Sequence, residues 1–269
     1  MTSESLRMMK LPAIDVHGHI GVVSDPTPSD LGFFSVPVVE VVRRAAACDI
    51  EITCVSDAGA FSRRRARTDV LAANRRARKA AERHERLRFY AVLDPKQKEC
   101  WKQVNELLQH PRCVGVKLHP RWSHWSLDRY GERIFAFLAE RRAVAITHTG
   151  NPGDEPERFI PFADRFPEAR LILAHLGHDE EGGAYDLQIK GVKKSRQGNV
   201  WTDTSSSRSI TAKLIERAVQ EIGADRLLFG TDTPLYFAAM QKARIAYADI
   251  PKRDKVKILR GNAQALLRL

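Results

Sequence analysis

The chain has 269 residues, 43% hydrophobic and 29% charged, which is the composition of a soluble globular protein with one large core. No run approaches the roughly 20 apolar residues of a membrane span, and the opening M-T-S-E-S-L-R-M-M-K has no signal-peptide core, so a cytoplasmic protein without membrane contact is expected. A formal charge of +11 falls mostly between Arg63 and Arg88; it reads first as a solvated helix face, because a nucleic-acid surface would carry interleaved aromatics or a known module.

The first element, A-I-D-V-H-G-H-I from Ala13 to Ile20, reads as a strand that aims His17 and His19 at one face. Gly21 to Ser35 is a long loop. Val36 to Cys48 has Val38, Val39, Val42, Ala45 and Ala46 at helical spacing. A second strand starts at Ile52, a basic loop follows, and a helix runs from about Asp69 to His84 with Val70, Ala73, Ala77 and Ala80 inward and Asp69 as its N-terminal acid. Strand three is Leu87 to Asp94, and its helix is Lys98 to Leu108.

The alternation continues with C-V-G-V-K-L-H-P, A-V-A-I-T-H-T-G, R-L-I-L-A-H-L-G, N-V-W-T-D-T-S and R-L-L-F-G-T-D-T-P as strands four to eight. Helical patterns separate them, near Tyr130 to Arg142, Glu157 to Phe166, Ala184 to Lys194 and Thr211 to Ile222. Phe237 to Ala248 and a terminal helix with Val256, Leu259, Ala263 and Leu266 on one stripe complete the chain. Cys48, Cys54, Cys100 and Cys113 lack C-x-x-C spacing and read as reduced core residues. Eight strand–helix repeats at this length predict one (β/α)8 TIM barrel, a single domain over residues 1–269.

In such a barrel the catalytic groups stand at the carboxyl ends of the strands. Strand one ends with His17 and His19, strand four with Lys117 and His119, strand five with His148, strand six with His175 and strand eight with Asp232. Polar groups in apolar runs are costly unless they compensate one another, and a metal at the mouth is the simplest compensation.

H-G-H, K-L-H-P, T-H-T-G, L-A-H-L-G and L-F-G-T-D-T-P together resemble the amidohydrolase superfamily. Within it the chain is most similar to the amidohydrolase-related (amidohydrolase 2) branch of metal-dependent hydrolases and decarboxylases, over nearly its whole length. The resemblance implies that His17, His19, His148 and Asp232 bind a divalent metal, zinc ahead of manganese, and that His175 acts as an acid/base. In two-metal members a carboxylated lysine, here Lys117, bridges the ions while His148 and His175 hold the second; one ion is expected ahead of two. His119 shares a face with Lys117, so either or both of them line the substrate pocket instead.

The expected reaction is hydrolysis of an amide, ester or lactone by a metal-activated water, with Asp232 and His175 as the catalytic pair. Non-oxidative decarboxylation is the alternative, and a non-catalytic barrel that binds polyanions ranks below both. His119, Arg121 and Arg63 are the candidate substrate-binding residues, Arg63 belonging to a basic loop that would draw in a small molecule carrying a carboxylate or phosphate. The resemblance also implies a homodimer.

Overall fold

β-Branched and apolar runs become strands, and the helical patterns between them bring each strand back parallel to the last. The structure, a computed structural model, describes residues 3–206 and 211–269. Among them eight parallel strands form one sheet in sequence order: β1 (Ala13–Ile20), β2 (Ile50–Asp57), β3 (Leu87–Val92), β4 (Cys113–Leu118), β5 (Val144–Thr147), β6 (Arg170–Leu173), β7 (Val200–Asp203) and β8 (Leu227–Leu228). This is the expected (β/α)8 barrel.

The last strand is shorter than its sequence pattern. After Leu228 the chain leaves regular pairing but follows β1: Val16 N donates to Phe229 O at 2.9 Å, Asp232 N to His17 O at 2.7 Å and His19 N to Thr233 O at 2.6 Å. These bonds close the barrel and bring Asp232 beside His17 and His19. Inside lie Ile14, Val16, Tyr90, Ile146, Ile172 and Leu228, and the helices pack outside against a second apolar layer.

The basic helix, Val70–Arg83, buries Val70, Ala73, Ala77 and Ala80, and Asp69 caps it by accepting from Ala72 N at 2.8 Å. Its Arg75, Arg78, Lys79 and Arg83 face solvent. The helix Val38–Ala47 departs from its expected face: Val41 and Ala45 are buried, whereas Val39 is 63% exposed. Pro37 precedes the first turn of this helix, where its missing N–H costs no hydrogen bond. At the C-terminus the single expected helix is Lys252–Val256 and Asn262–Leu267 joined by a wider turn, with Leu259, Ala263 and Leu266 buried and Val256 half-buried. The opening segment, whose Met1 and Thr2 lie outside the described residues, contributes a short helix, Ser3–Met9. All four cysteines are free thiols. Among the described residues no helix is long and apolar enough to cross a membrane.

Candidate metal centre and cavity

The H-G-H motif works because of its glycine. Gly18 passes so close to its neighbours that a Cβ there would lie 2.9 Å from Thr53 Cγ2 and 3.0 Å from Thr233 Cγ2. The two histidines flank this contact and point to the same side. His19 Nε2 lies 3.2 Å and His17 Nε2 3.7 Å from Asp232 Oδ1. His175 Nδ1 is 3.9 Å from Asp232 Oδ2, and Lys117 Nζ is 2.8 Å from His17 Nε2. Asp232 (φ 57°) and His175 (φ 74°) both hold the left-handed backbone conformation, which costs about 1 kcal/mol or more for a non-glycine residue and clusters at functional sites.

Burial sets the charge states. It pushes the imidazoles of His119, His148 and His175 well below their ordinary value and lowers that of His19, and neighbouring cationic groups add to the effect. These rings are therefore neutral and carry a lone pair. Burial alone would raise Asp232, but His17, His19 and Lys117 outweigh it and hold the carboxyl at about 2. Burial lowers Lys117 to about 8, with Asp232 and Asp203 opposing the fall.

The outer nitrogens are also committed. His17 Nδ1 lies 3.0 Å from Asp203 Oδ2, and His19 Nδ1 lies 3.0 Å from Ser56 Oγ. With its proton directed to Asp203, His17 turns the lone pair of Nε2 inward, where it accepts from Lys117 Nζ at 2.8 Å and Asp232 Oδ1 stands 3.7 Å away. Two imidazole nitrogens and a carboxylate oxygen within 4.8 Å of one another, their rings fixed from behind, form a donor set that suits a divalent metal.

His148, the fourth ligand implied by the sequence, stands one step back. Its Nδ1 lies 2.9 Å from His175 Nε2 and its Nε2 2.6 Å from Asn151 Nδ2, and its ring stacks on His119 at 4.3 Å. His175 in turn places Nδ1 2.8 Å from Ser205 Oγ. A second potential metal group joins His17, His175 and Asp203. Asp203, Ser205, Ser56 and Asn151 were not singled out from the sequence. For Asp203 a signal existed, an acid closing the apolar start of N-V-W-T-D-T-S; the others are small polar residues with no pattern of their own.

The group opens onto a cavity of about 480 Å³ whose wall includes Phe61, Trp122, Leu235 and Tyr236, together with Lys117 and His119. Arg63 and Arg121 also line it, but each is paired: Arg63 forks onto Asp30 at 2.5 and 2.8 Å and lies over Trp122, while Arg121 bridges to Glu180. Arg64 and Arg65 are exposed and take no part in this wall. Of the two tryptophans in the following loop, Trp122 lines the cavity and Trp125 is buried against Tyr130.

Among curated proteins, residues of this chain align with the gamma-resorcylate decarboxylase of Polaromonas sp. strain JS666 at 33% identity over 122 residues and with that of Rhizobium sp. strain MTP-10005 at 31% over 119. Each match covers 39% of this chain and only 36% of the relative's length. Among solved structures, 5-carboxyvanillate decarboxylase from Sphingomonas paucimobilis superposes with a TM-score of 0.74 at 14% identity, covering 96% of this chain and 99% of the other. A dihydroxybenzoic acid decarboxylase from Polaromonas sp. JS666, solved with manganese and the inhibitor 2-nitroresorcinol, gives 0.73 at 18% identity, with 96% and 97% covered. At those identities the likeness is one of fold.

These relatives correct the expectation of amide, ester or lactone hydrolysis. They are carbon–carbon lyases, and they favour the decarboxylase alternative over the hydrolase. The physical reason that sequence motifs misled is that metal ligands are common to both chemistries; the reaction is decided by which bond the cavity presents to them. The family model described as amidohydrolase matches residues 14–269, and the chain belongs to that family.

Proposed function

We propose that this protein is a metal-dependent, non-oxidative decarboxylase of a small aromatic carboxylic acid. The observation that carries the reading is the His17–His19–Asp232 donor group at the inner end of a cavity walled by Phe61 and Trp122. Aromatic walls suit a flat ring. The sequence similarity to gamma-resorcylate decarboxylases supports the same substrate class.

His17, His19 and Asp232 would hold the ion, with His148 as the further candidate ligand. Manganese is proposed ahead of the zinc expected from sequence, because solved relatives hold manganese and the donor set mixes nitrogen with oxygen. When bound, a divalent ion there supplies positive charge that draws electron density from the oxygens of an acid. Lys117, only 1% exposed, adds a second inward positive charge to meet the carboxylate.

Decarboxylation exchanges one bond for another. The ring carbon that bears the carboxylate gains a proton, the carbon–carboxylate bond breaks with its electron pair returning to the ring, and CO₂ leaves. That proton comes from solvent: ionised Asp232 and neutral His175, 3.9 Å apart, are the pair that takes it up and passes it to the ring carbon. Phe61 and Trp122 keep the ring in register and exclude water. The proposal includes a single catalytic domain over residues 1–269 and a homodimer; Leu31, Phe33 and Phe237 are exposed apolar side chains available for such a contact, and light scattering tests the dimer.

The test incubates manganese-loaded protein with 2,6-dihydroxybenzoate and with 5-carboxyvanillate and follows CO₂ together with the arene. Equal amounts of both products, lost in Asp232→Ala, are expected. No CO₂ from fully metallated protein across a panel of hydroxylated aromatic acids would overturn the reading.

A further inference from the structure

On the other side of Trp122 lies a second cavity, of about 320 Å³, formed by the loops that follow β2, β3 and β4. Arg65, Thr68, Lys96, Ser123 and His124 line it with Trp122, and none of the described residues that line it is acidic. Lys96 Nζ stands 3.7 Å from one carboxylate, that of Asp94, which is itself buried. Lys96 also donates to the Ser123 carbonyl, which holds its ammonium at the wall. Arg65 has no ion pair among the described residues.

The walls are held in place rather than loose. His124 Nε2 lies 2.8 Å from Ser62 O, Ser62 N donates to Trp122 O at 3.1 Å, and Ala66 N donates to Ser62 Oγ at 2.7 Å. These bonds stitch the loop after β2 to the loop after β4. Arg65 (φ 62°) and His124 (φ 52°), one on each loop, both sit in the left-handed region, a conformation kept only where the surroundings enforce it. A fixed concave site with a guanidinium and a hydroxyl from the loop after β2 and an ammonium from the loop after β3 is a site for an anion.

We propose that this second cavity binds a phosphate group, with Arg65 and Lys96 as its cationic partners and Thr68 as a hydroxyl donor. Phosphate fits better than carboxylate because it offers three terminal oxygens: the guanidinium fork takes two, and the ammonium and hydroxyl meet the third from other directions. Trp122 forms the partition with the main cavity and stacks on His119 at 4.8 Å, so the site borders the aromatic wall of the first. The inference is independent of the reaction in the main cavity, and its test is one of binding alone.

The metal-loaded full chain is titrated calorimetrically with inorganic phosphate and with phenyl phosphate, at ionic strength held constant with chloride. One saturable site is expected, weakened about tenfold or more by Arg65→Gln and by Lys96→Gln, as the loss of a charge-assisted hydrogen bond requires, with metal content unchanged. Arg75→Gln, on the exposed face of the basic helix, should leave it intact. Tighter binding of the ester identifies a phosphorylated small molecule as the source, the reverse order identifies free phosphate, and both support the site. The absence of any saturable heat at constant ionic strength overturns the proposal, as does binding that survives both cavity variants and disappears in Asp232→Ala.

Discussion

Asp203 Oδ2 stands 3.0 Å from His17 Nδ1, and both side chains are almost fully shielded from water. The carboxylate is held below its usual range, since His17 and the bonds from Ser205 outweigh the burial that would raise it. It thereby fixes which nitrogen of His17 faces the metal position. Asp203→Asn keeps the shape but removes the charge. Its affinity for divalent metal should fall about 10- to 100-fold, read by competition with a chromogenic chelator while circular dichroism stays native. Unchanged affinity would mean that Asp203 has only a packing role.

That pairing also marks the limit of what the sequence disclosed. The barrel was legible because eight apolar runs alternate with helical stripes, a signal local to each segment. His17, His19, His175 and Asp232 were legible because polar residues at the ends of apolar strands stand out. The direction of a ring was not. That His148 meets His175 and Asn151 instead of Asp232 depends on contacts between β5, β6 and their loops, and that Arg63 is neutralised depends on Asp30, 33 positions earlier in a loop without periodicity.

His175 reaches both Asp232 and His148, so its role separates from that of the ligands. His17→Ala and Asp232→Ala should each lose the metal. His175→Asn should keep the ion and lower kcat about 10²- to 10⁴-fold, the range for a removed acid/base group. Elemental analysis beside steady-state kinetics distinguishes these outcomes; loss of metal in His175→Asn would instead make it a ligand.

Arg63 serves the loop before it serves any substrate. Asp30, 5% exposed, accepts the guanidinium fork and two bonds from Thr27, and the arginine holds its carboxyl at about 2. Arg63→Gln leaves that acid without its partner and should cost about 1–2 kcal/mol of stability, discounted for the half-buried arginine. Arg64→Gln should change stability by less than about 0.5 kcal/mol. Urea denaturation of the two variants compares them, and equal midpoints would show that the fork contributes nothing to folding.

Asp154 provides a pH test one residue behind His148, since it accepts from Asn151 N at 2.7 Å and Asn151 Nδ2 lies 2.6 Å from His148 Nε2. Burial raises its carboxyl from 3.8 to about 7, against the bonds it accepts from Asn151. The folded protein therefore holds this proton more tightly than the unfolded chain. By linkage, the contribution of Asp154 to stability is full below the unfolded value, declines as pH rises from about 4 to about 7, and is flat above. Asp154→Asn has no proton to lose there, so the difference in unfolding free energy between variant and wild type should grow in the variant's favour across that window, by no more than about 1.4 kcal/mol for each step of one in pH. Chemical denaturation at several pH values measures the difference. A difference that stays constant from pH 4 to pH 8 would place the Asp154 carboxyl at its ordinary value and remove burial as the force acting on it.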